Sequence, residues 1–398
     1  MAWIVHEEKL DPDQKKIFNS RIDKNLWIKG FAGSGKSVLL VHKLRKVLKD
    51  NPNAQTCVVV FTWSMIDMFK TGLKELDMPT NIPVITYFKF KDLPLTNMDF
   101  IFCDEVQDLP ESILNLMKTR LKPNGKIVVA GDSNQNIYEK SPGLNESTVN
   151  PKEIGKILTA DEITTNYVHR VTRTIINAIQ KLLPSTNIWS ALREFTPQDR
   201  SIALCKAEHE EDEIEFVYKE ALKGPDTYGK DRMETSVILL PTKKAITKFI
   251  QLLLDNNNAS AWNEQKNKFG ELDYNHLNKH LRENKIRLQY IGNGIGSLED
   301  AGNKKDVILM TYHSSKGLDF DNVFLPFMSW DLFISKYKPD VLLMVAMTRS
   351  KKNLYITYSG NPHPLIEKFS SDKSIVSEIP ITKAGKHINS SDEIELDF

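Results

Sequence analysis

The sequence predicts an α/β protein of two halves, each a parallel β-sheet covered by helices on both faces. Three observations predict it. Short β-branched runs recur along the chain, separated by longer amphipathic stretches. The runs are apolar almost throughout and do not alternate, as strands buried on both faces must be. The chain of 398 residues is also longer than one hydrophobic core usually serves, which favours more than one domain.

In the first half the runs are Leu26–Lys29, Cys57–Thr62, Phe100–Cys103 and Lys126–Ala130. In the second they are Ser201–Lys206, Ser236–Leu240, Asp306–Met310, Asn322–Leu325 and Asn353–Thr357. Strands alternating with helical stretches imply crossover connections, and hence parallel pairing. The stretch Ser141–Pro151, SPGLNESTVNP, breaks the pattern and marks the approach to a boundary near residue 160. The expected division is therefore 1–160 and 161–362. Within the second part, 256–305 is Asn- and Lys-rich and reads as a small helical insertion or a surface segment. Residues 363–398, ending in SSDEIELDF, read as an acidic flexible tail. The sharper reading of that tail is a partner-binding peptide anchored by Phe398.

Composition excludes several classes. Hydrophobic residues make up 40% of the chain and charged residues 26%, with 18 Gly and 18 Pro, which is ordinary for a globular protein and unlike collagen or a disordered chain. No apolar run approaches the roughly 18 residues needed to cross a bilayer. The opening MAWIVHEEKLDPD is acidic early and carries no long apolar region, so it does not read as a secretory signal, and a cytoplasmic location is expected. Cys57, Cys103 and Cys205 each lie in an apolar stretch without a CxxC partner, and read as buried thiols. Lys and Arg total 53 against 52 Asp and Glu, for a net charge of +1. There is no basic bulk, so a nucleic-acid partner would have to be held in a local groove.

Three motifs carry chemistry. WIKGFAGSGKS has the phosphate-loop spacing, Gly30, four residues, then Gly35, Lys36 and Ser37, with Gly33 and Ser34 inside the loop. A strand enters it and an apolar-periodic helix, Val38–Leu48, leaves it. Glycines let backbone N–H groups turn inward around a β-phosphate, and the helix N-terminus adds a positive dipole end. Lys36 would neutralise the β and γ oxygens and Ser37 would ligate Mg²⁺. A glycine-rich turn with an exposed lysine is the bland alternative. In MDFIFCDEVQD an apolar strand ends in Asp104 and Glu105, at the sheet edge where the phosphate loop also lies. Asp104 would hold Mg²⁺ through water, and Glu105 would orient and deprotonate the attacking water. KIVVAGDSNQNIY has the same build, with Gly131 and Asp132 after the strand. Its Gln135 could bond a γ-phosphate and lose that bond on hydrolysis.

These residues, in order from Leu10 to about Ser359, resemble the superfamily 1 helicases, and within them the UvrD/Rep-like branch. The pieces are LDPDQ, GFAGSGKS, VVVFT, ITYFKF, DEVQD, GDSNQNIY, TTNYVHR, MTYHSSKGLDF and VAMTRS. The resemblance implies two tandem RecA-like domains with ATP and Mg²⁺ between them. It implies that Gln14 reads the adenine edge and that Tyr167 stacks on the base. Lys316, Gly317 and Asp319 would lie on the loop that meets the ribose and γ-phosphate from the second domain. Arg349 would be an arginine finger, stabilising charge on the γ-phosphoryl oxygens when the domains close. Arg170 would be the second phosphate-contacting arginine, with Arg173 as the alternative. For nucleic acid, the family's loops match Thr62 and Trp63, Thr86 through Phe88, Tyr138 and His313. Hydroxyls and histidine can bond phosphates there, and aromatics can stack on bases.

The chain departs from the family in places. Val168 and His169 separate Tyr167 from Arg170, Asp319 stands where glutamate is common, and Glu139 and Lys140 follow Tyr138 where an aromatic and an arginine are usual. The bulky insertions of UvrD-like enzymes have no room here. The leading expectation is an ATP-hydrolysing DNA helicase or translocase on single-stranded DNA, with RNA left open and 3′-to-5′ polarity implied by the family. A protein partner would supply strand separation or nuclease function. The alternative is an ATP-gated regulatory or scaffold subunit of a DNA-processing or defence complex that does not translocate.

Overall fold

A computed structural model describes residues 3–185, 200–227 and 233–382. The first sheet comprises β1 (Asn25–Gly30), β2 (Thr56–Val60), β3 (Val84–Thr86), β4 (Met98–Cys103), β5 (Leu121–Gly131) and β6 (Ala160–Thr165). The second comprises β7 (Ile202–Ala207), β8 (Ser236–Leu240), β9 (Leu288–Tyr290), β10 (Val307–Thr311), β11 (Phe320–Leu325), β12 (Ser350–Ser359) and β13 (Val376–Pro380). Their orders are β3-β2-β4-β5-β1-β6 and β13-β7-β12-β11-β8-β10-β9. Every named pairing is parallel, in registers such as Leu26↔Val128 and Ile308↔Val237. Helices such as Lys36–Asp50 and Trp63–Glu75 in the first half, and Glu210–Lys223 and Lys243–Asn256 in the second, bury apolar stripes against these sheets. One contiguous core runs from the first sheet into the second, through Leu318, Leu342 and Met344 among others.

All nine expected strands form. The four the pattern does not mark are β3, β6, β9 and β13, which are the four sheet edges. An edge strand pairs on one side only and need not be apolar on both faces. β6 (ADEITT) and β13 (VSEIP) are largely exposed, and β3 and β9 are three residues each.

These edges correct the expected boundaries. β6 pairs with β1 from Asn25↔Ala160 to Gly30↔Thr165, so the first sheet runs past residue 160. The helix Arg173–Leu182 then joins the second half, where Lys181 pairs with Asp372 at 2.6 Å and Lys368 Nζ donates to the Leu182 carbonyl at 3.2 Å. Most of 256–305 is sheet scaffold, supplying β9 and the helices Tyr274–Glu283 and Leu298–Lys304, so only the stretch before Tyr274 projects. The expected tail begins as the helix Pro364–Ser370, with Phe369 fully buried, and continues as β13 along β7. Its acidic end with Phe398 lies outside the described residues. The three cysteines are buried, and burial pushes the Cys57 and Cys205 thiols up to about 12.

Glu213 on the helix Glu210–Lys223 is fully buried beneath the second sheet's carboxyl edge. Its Oε1 accepts from the Phe327 N–H at 2.7 Å and the Thr357 hydroxyl at 2.6 Å. The contact fixes Phe327, a bulky residue in the left-handed region at φ +62°. Burial pushes the Glu213 carboxyl from 4.5 up to about 7, although both donors pull it down. A raised carboxyl favours the folded state when protonated. Its contribution is therefore full below about pH 4.5 and is lost as the pH rises through about 7. We expect the wild type to lose up to about 3 kcal/mol more stability than Glu213→Gln between about pH 5 and about pH 8. Urea unfolding at both pH values checks this, and equal losses would contradict it.

Candidate functional site

β1 feeds the chain into the glycine-rich loop, and the helix Lys36–Asp50 leaves it. The loop is too tight for side chains at two of its glycines. A Cβ on Gly30 would sit 2.0 Å from Thr165 Oγ1, and one on Gly35, at φ +81°, 2.4 Å from Gln14 Nε2. Ser34 is buried, its hydroxyl accepting from Thr165 at 2.8 Å. Gln14 donates to the Ser34 carbonyl at 3.1 Å, while its oxygen accepts from the Asp11 N–H in a capping box. One donor and one acceptor of that amide remain for a base edge. Tyr167 is exposed on the neighbouring segment, where Asn166 donates to Asp13 at 3.1 Å and His169 meets Asp11 at 2.5 Å.

Lys36 spans the loop, donating to the Phe31 carbonyl at 2.9 Å. Burial pushes its ammonium down, against the pull of Asp132, Glu105 and Asp104. The Ser37 hydroxyl donates to Asp104 Oδ2 at 2.5 Å. Burial and the neighbouring Glu105 push the Asp104 carboxyl up to about 6. Glu105 stands in the left-handed region at φ +53°, a backbone cost typical of functional positions. Burial pushes its carboxyl up, but Lys316, Lys36 and a hydrogen bond from Gln107 outweigh it, and it lies below the ordinary range.

Arg349, Lys316, Gly317 and Asp319 come from the far side of the cleft, and Arg170 and Arg173 from the segment joining the halves. Arg349 is buried, and three of its five N–H groups are taken by Val345 O at 2.8 Å, Leu318 O at 3.0 Å and Thr348 Oγ1 at 3.0 Å. Arg170 pairs with Asp319, which Lys351 also meets at 3.2 Å. Arg173 instead opens the helix Arg173–Leu182. Burial, and for Arg170 also its neighbour Arg349, push both guanidiniums down to about 10. Lys316 is fully enclosed, binding Asp108 and the Gln135 carbonyl, with Glu105 at 3.7 Å. Its ammonium therefore closes the interface between the halves beneath the cleft. Gly317, at φ +81°, turns the chain just past it against Met65.

The cleft fits a magnesium nucleotide on its own evidence. The buried Gln135 Nε2, Asp132 Oδ2 and Asp108 Oδ1 have no hydrogen-bond partner among the described residues. Two neighbouring guanidiniums, both pushed down, are the arrangement a polyphosphate would relieve. Mg²⁺ usually takes one or two protein ligands and completes its shell with phosphate and water, as Ser37 and Asp104 could provide. Two residues of this network are absent from the motif reading. Gln107 donates to Glu105 Oε2 at 2.5 Å and accepts from the Asp132 N–H at 3.1 Å, and Asp108 receives Lys316. The signal available was their place in DEVQD, two and three residues after Glu105.

The expected nucleic-acid residues also converge. Thr62, Trp63, Thr86, Phe88, Tyr138 and His313 all line one cavity of about 540 Å³ between the halves. Thr62 and Thr86 cap helices, accepting from Met65 N and Lys89 N at 3.3 Å each. Trp63 and Phe88 are about half exposed. Tyr138 packs on Phe61 at 4.8 Å and on His313 at 5.3 Å between ring centroids, joining the two halves. Burial, with Lys316 nearby, pushes His313 down to about 4, so it meets the groove neutral at pH 7. Thr242 and Lys243 from the second half line the same cavity and escape the motif reading, because PTKK has the composition of an ordinary helix start.

Lys36→Ala is expected to abolish ATP hydrolysis, and Arg349→Ala to lower turnover about 10³-fold or more with a smaller change in ATP affinity. Steady-state hydrolysis and nucleotide titration check both, and an Arg349→Ala turnover within tenfold of wild type would contradict the finger assignment.

Residues 14–141 match the family model of an AAA domain, and residues 259–361 that of the UvrD-like helicase C-terminal domain. No curated protein matches the chain. The two models between them cover more than half of the sequence, one on each side of the cleft. With both domain types present in order and the fold of each half in place, the chain belongs to the UvrD-like branch of the superfamily 1 helicases.

Proposed function

We propose that the protein is an ATP-driven motor on single-stranded DNA, with the nucleotide held between its two halves and the strand held in the Trp63–His313 groove. One observation carries this reading: the loops that face the nucleotide cleft are the same loops that line the groove. Gln135 and Tyr138 are three residues apart on one loop, and His313 and Lys316 three apart on the other. Lys316 binds the Gln135 carbonyl at the cleft end, and His313 packs on Tyr138 at the groove end. A change of contact at Gln135 is thereby felt at Tyr138.

Mg²⁺ supplies charge neutralisation on the phosphates when bound beside Ser37 and Asp104. Glu105, held by Gln107, orients a water and takes its proton. Lys36, Arg170 and Arg349 stabilise the charge that develops on the transferring phosphoryl group, and Asp319 must release Arg170 for this. In the groove, Trp63 and Phe88 stack on bases while the capped helix starts at Thr62 and Thr86 approach phosphates. Such contacts read no sequence. The 3′-to-5′ polarity rests on family resemblance.

Saturating single-stranded DNA is expected to raise ATP hydrolysis tenfold or more. Affinity for the strand should fall steeply between about 50 and about 200 mM salt, as when several phosphates are gripped. Hydrolysis unchanged by single strands of DNA and of RNA would contradict the motor. It would favour a nucleotide-gated scaffold.

A further inference from the structure

Trp330 and Phe333 are 68% and 58% exposed, and neither lines the groove. They stand on the loop between β11 and the helix Pro339–Met347. That loop is anchored at its base. Met328 N donates to the Thr357 carbonyl at 2.9 Å, Trp330 N to the Asn361 carbonyl at 3.0 Å, and the Ser329 hydroxyl to the Ser359 carbonyl at 2.8 Å. Leu332 and Ile334 pack against the core, which leaves Phe333 between them facing out. A fixed backbone therefore displays two aromatic side chains to water, where apolar area gains by being covered. The same loop carries Asp331 against two cations, Lys336 and Lys338. Neither lysine meets a carboxylate among the described residues. The Lys338 ammonium lies 4.9 Å from the Tyr337 ring centroid and donates to the Asn136 carbonyl of the first half at 3.3 Å.

The occupant that fits this face belongs to the same chain. β13 ends at the carboxyl edge of the second sheet, where Ile381 N donates to the Lys206 carbonyl at 2.8 Å. Trp330 is tied to a residue that follows β12 at that edge. The order β13-β7-β12 puts the two points two strand spacings apart, roughly 10 Å. Residues 383–398 run on from β13 to the stretch DEIELDF. From Thr382 to Ile394 a chain can span about 40 Å, so reach is ample. In DEIELDF, Ile394, Leu396 and Phe398 alternate with Glu393, Glu395 and Asp397. An extended chain with this alternation has one apolar face and one face of carboxylates. The first complements the aromatic pair, and the second complements the two lysines at its rim.

We propose that the loop 327–338 is an intramolecular docking site for the acidic segment 392–398, whose apolar side chains cover Trp330 and Phe333 and whose carboxylates meet Lys336 and Lys338. Because Lys338 also bonds Asn136, the docked segment is tied to the seam between the halves, one residue from Gln135. The inference is independent of whether the protein moves on a strand.

The test uses the full chain with a photo-reactive benzophenone amino acid in place of Leu396, and mass spectrometry to map where it attaches. Attachment is expected within the same molecule, on residues 327–338. Its yield should fall at least fivefold in the double variant Trp330→Ser, Phe333→Ser and also in Lys336→Glu. ATP hydrolysis should be unchanged in both variants, which separates a lost dock from a lost fold. Attachment to groove residues, to a second copy in a mixture of isotopically light and heavy protein, or to no residue of the chain would overturn the proposal. So would a yield that the substitutions leave unchanged.

Discussion

The arrangement of this protein depends on one buried contact, the ammonium of Lys316 enclosed by Asp108, the Gln135 carbonyl and Glu105. Enclosing a charge away from water costs several kcal/mol unless partners replace the solvent, so the contact demands that the two halves approach closely and in one register. Neither the Lys316 nor the Asp108 side chain is exposed to solvent, and burial pushes the Asp108 carboxyl up to about 7 even with the lysine beside it. Everything on either side inherits its geometry. On one side lie the phosphate loop, the acidic pair and two arginines. On the other, three residues away on each loop, Tyr138 and His313 form the floor of the groove. A shift at the contact therefore moves both sites, which is the physical requirement for coupling them.

Much of this was legible in the sequence, and what was not has a common cause. The central strands announce themselves as continuous apolar runs because both faces are covered. β3, β6, β9 and β13 do not, because an edge strand answers to one neighbour and partly to water. The displaced domain boundary and the mistaken start of the tail follow from the same blindness. β6 carries the first sheet past residue 160, and β13 recruits residues whose composition reads as solvated.

The site divides in a similar way. Residues whose chemistry is tied to local spacing, such as Gly30, Lys36, Ser37, Asp104 and Glu105, can be picked out by motif, and the fold gathers them at one sheet edge. Contacts that depend on a partner distant in the chain cannot be read this way. Lys316 meets a carboxylate 208 positions away, and spacing along the chain says nothing about which loop of the other half it faces. Asp319 likewise pairs with Arg170 and Lys351. Gln107 and Asp108 carry no sequence signal of their own, because a glutamine and an aspartate gain meaning only when the loops they join are known. The near-neutral charge also takes on a different sense. Arg170 and Lys316 are matched by carboxylates, while Lys36 and Arg349 bond carbonyl and hydroxyl oxygens and keep their charge for a polyanion in the cleft.

The central claim is that nucleotide in the cleft alters the grip on the strand through the Lys316 contact. The most direct measurement is the Kd for a fluorescent single-stranded oligonucleotide with and without a non-hydrolysable ATP analogue, in the wild type and in Lys316→Met. The account predicts a change of about tenfold or more in the wild type, a coupling of roughly 1.4 kcal/mol, and its loss in the variant. A wild-type Kd that is the same with and without the analogue would contradict it.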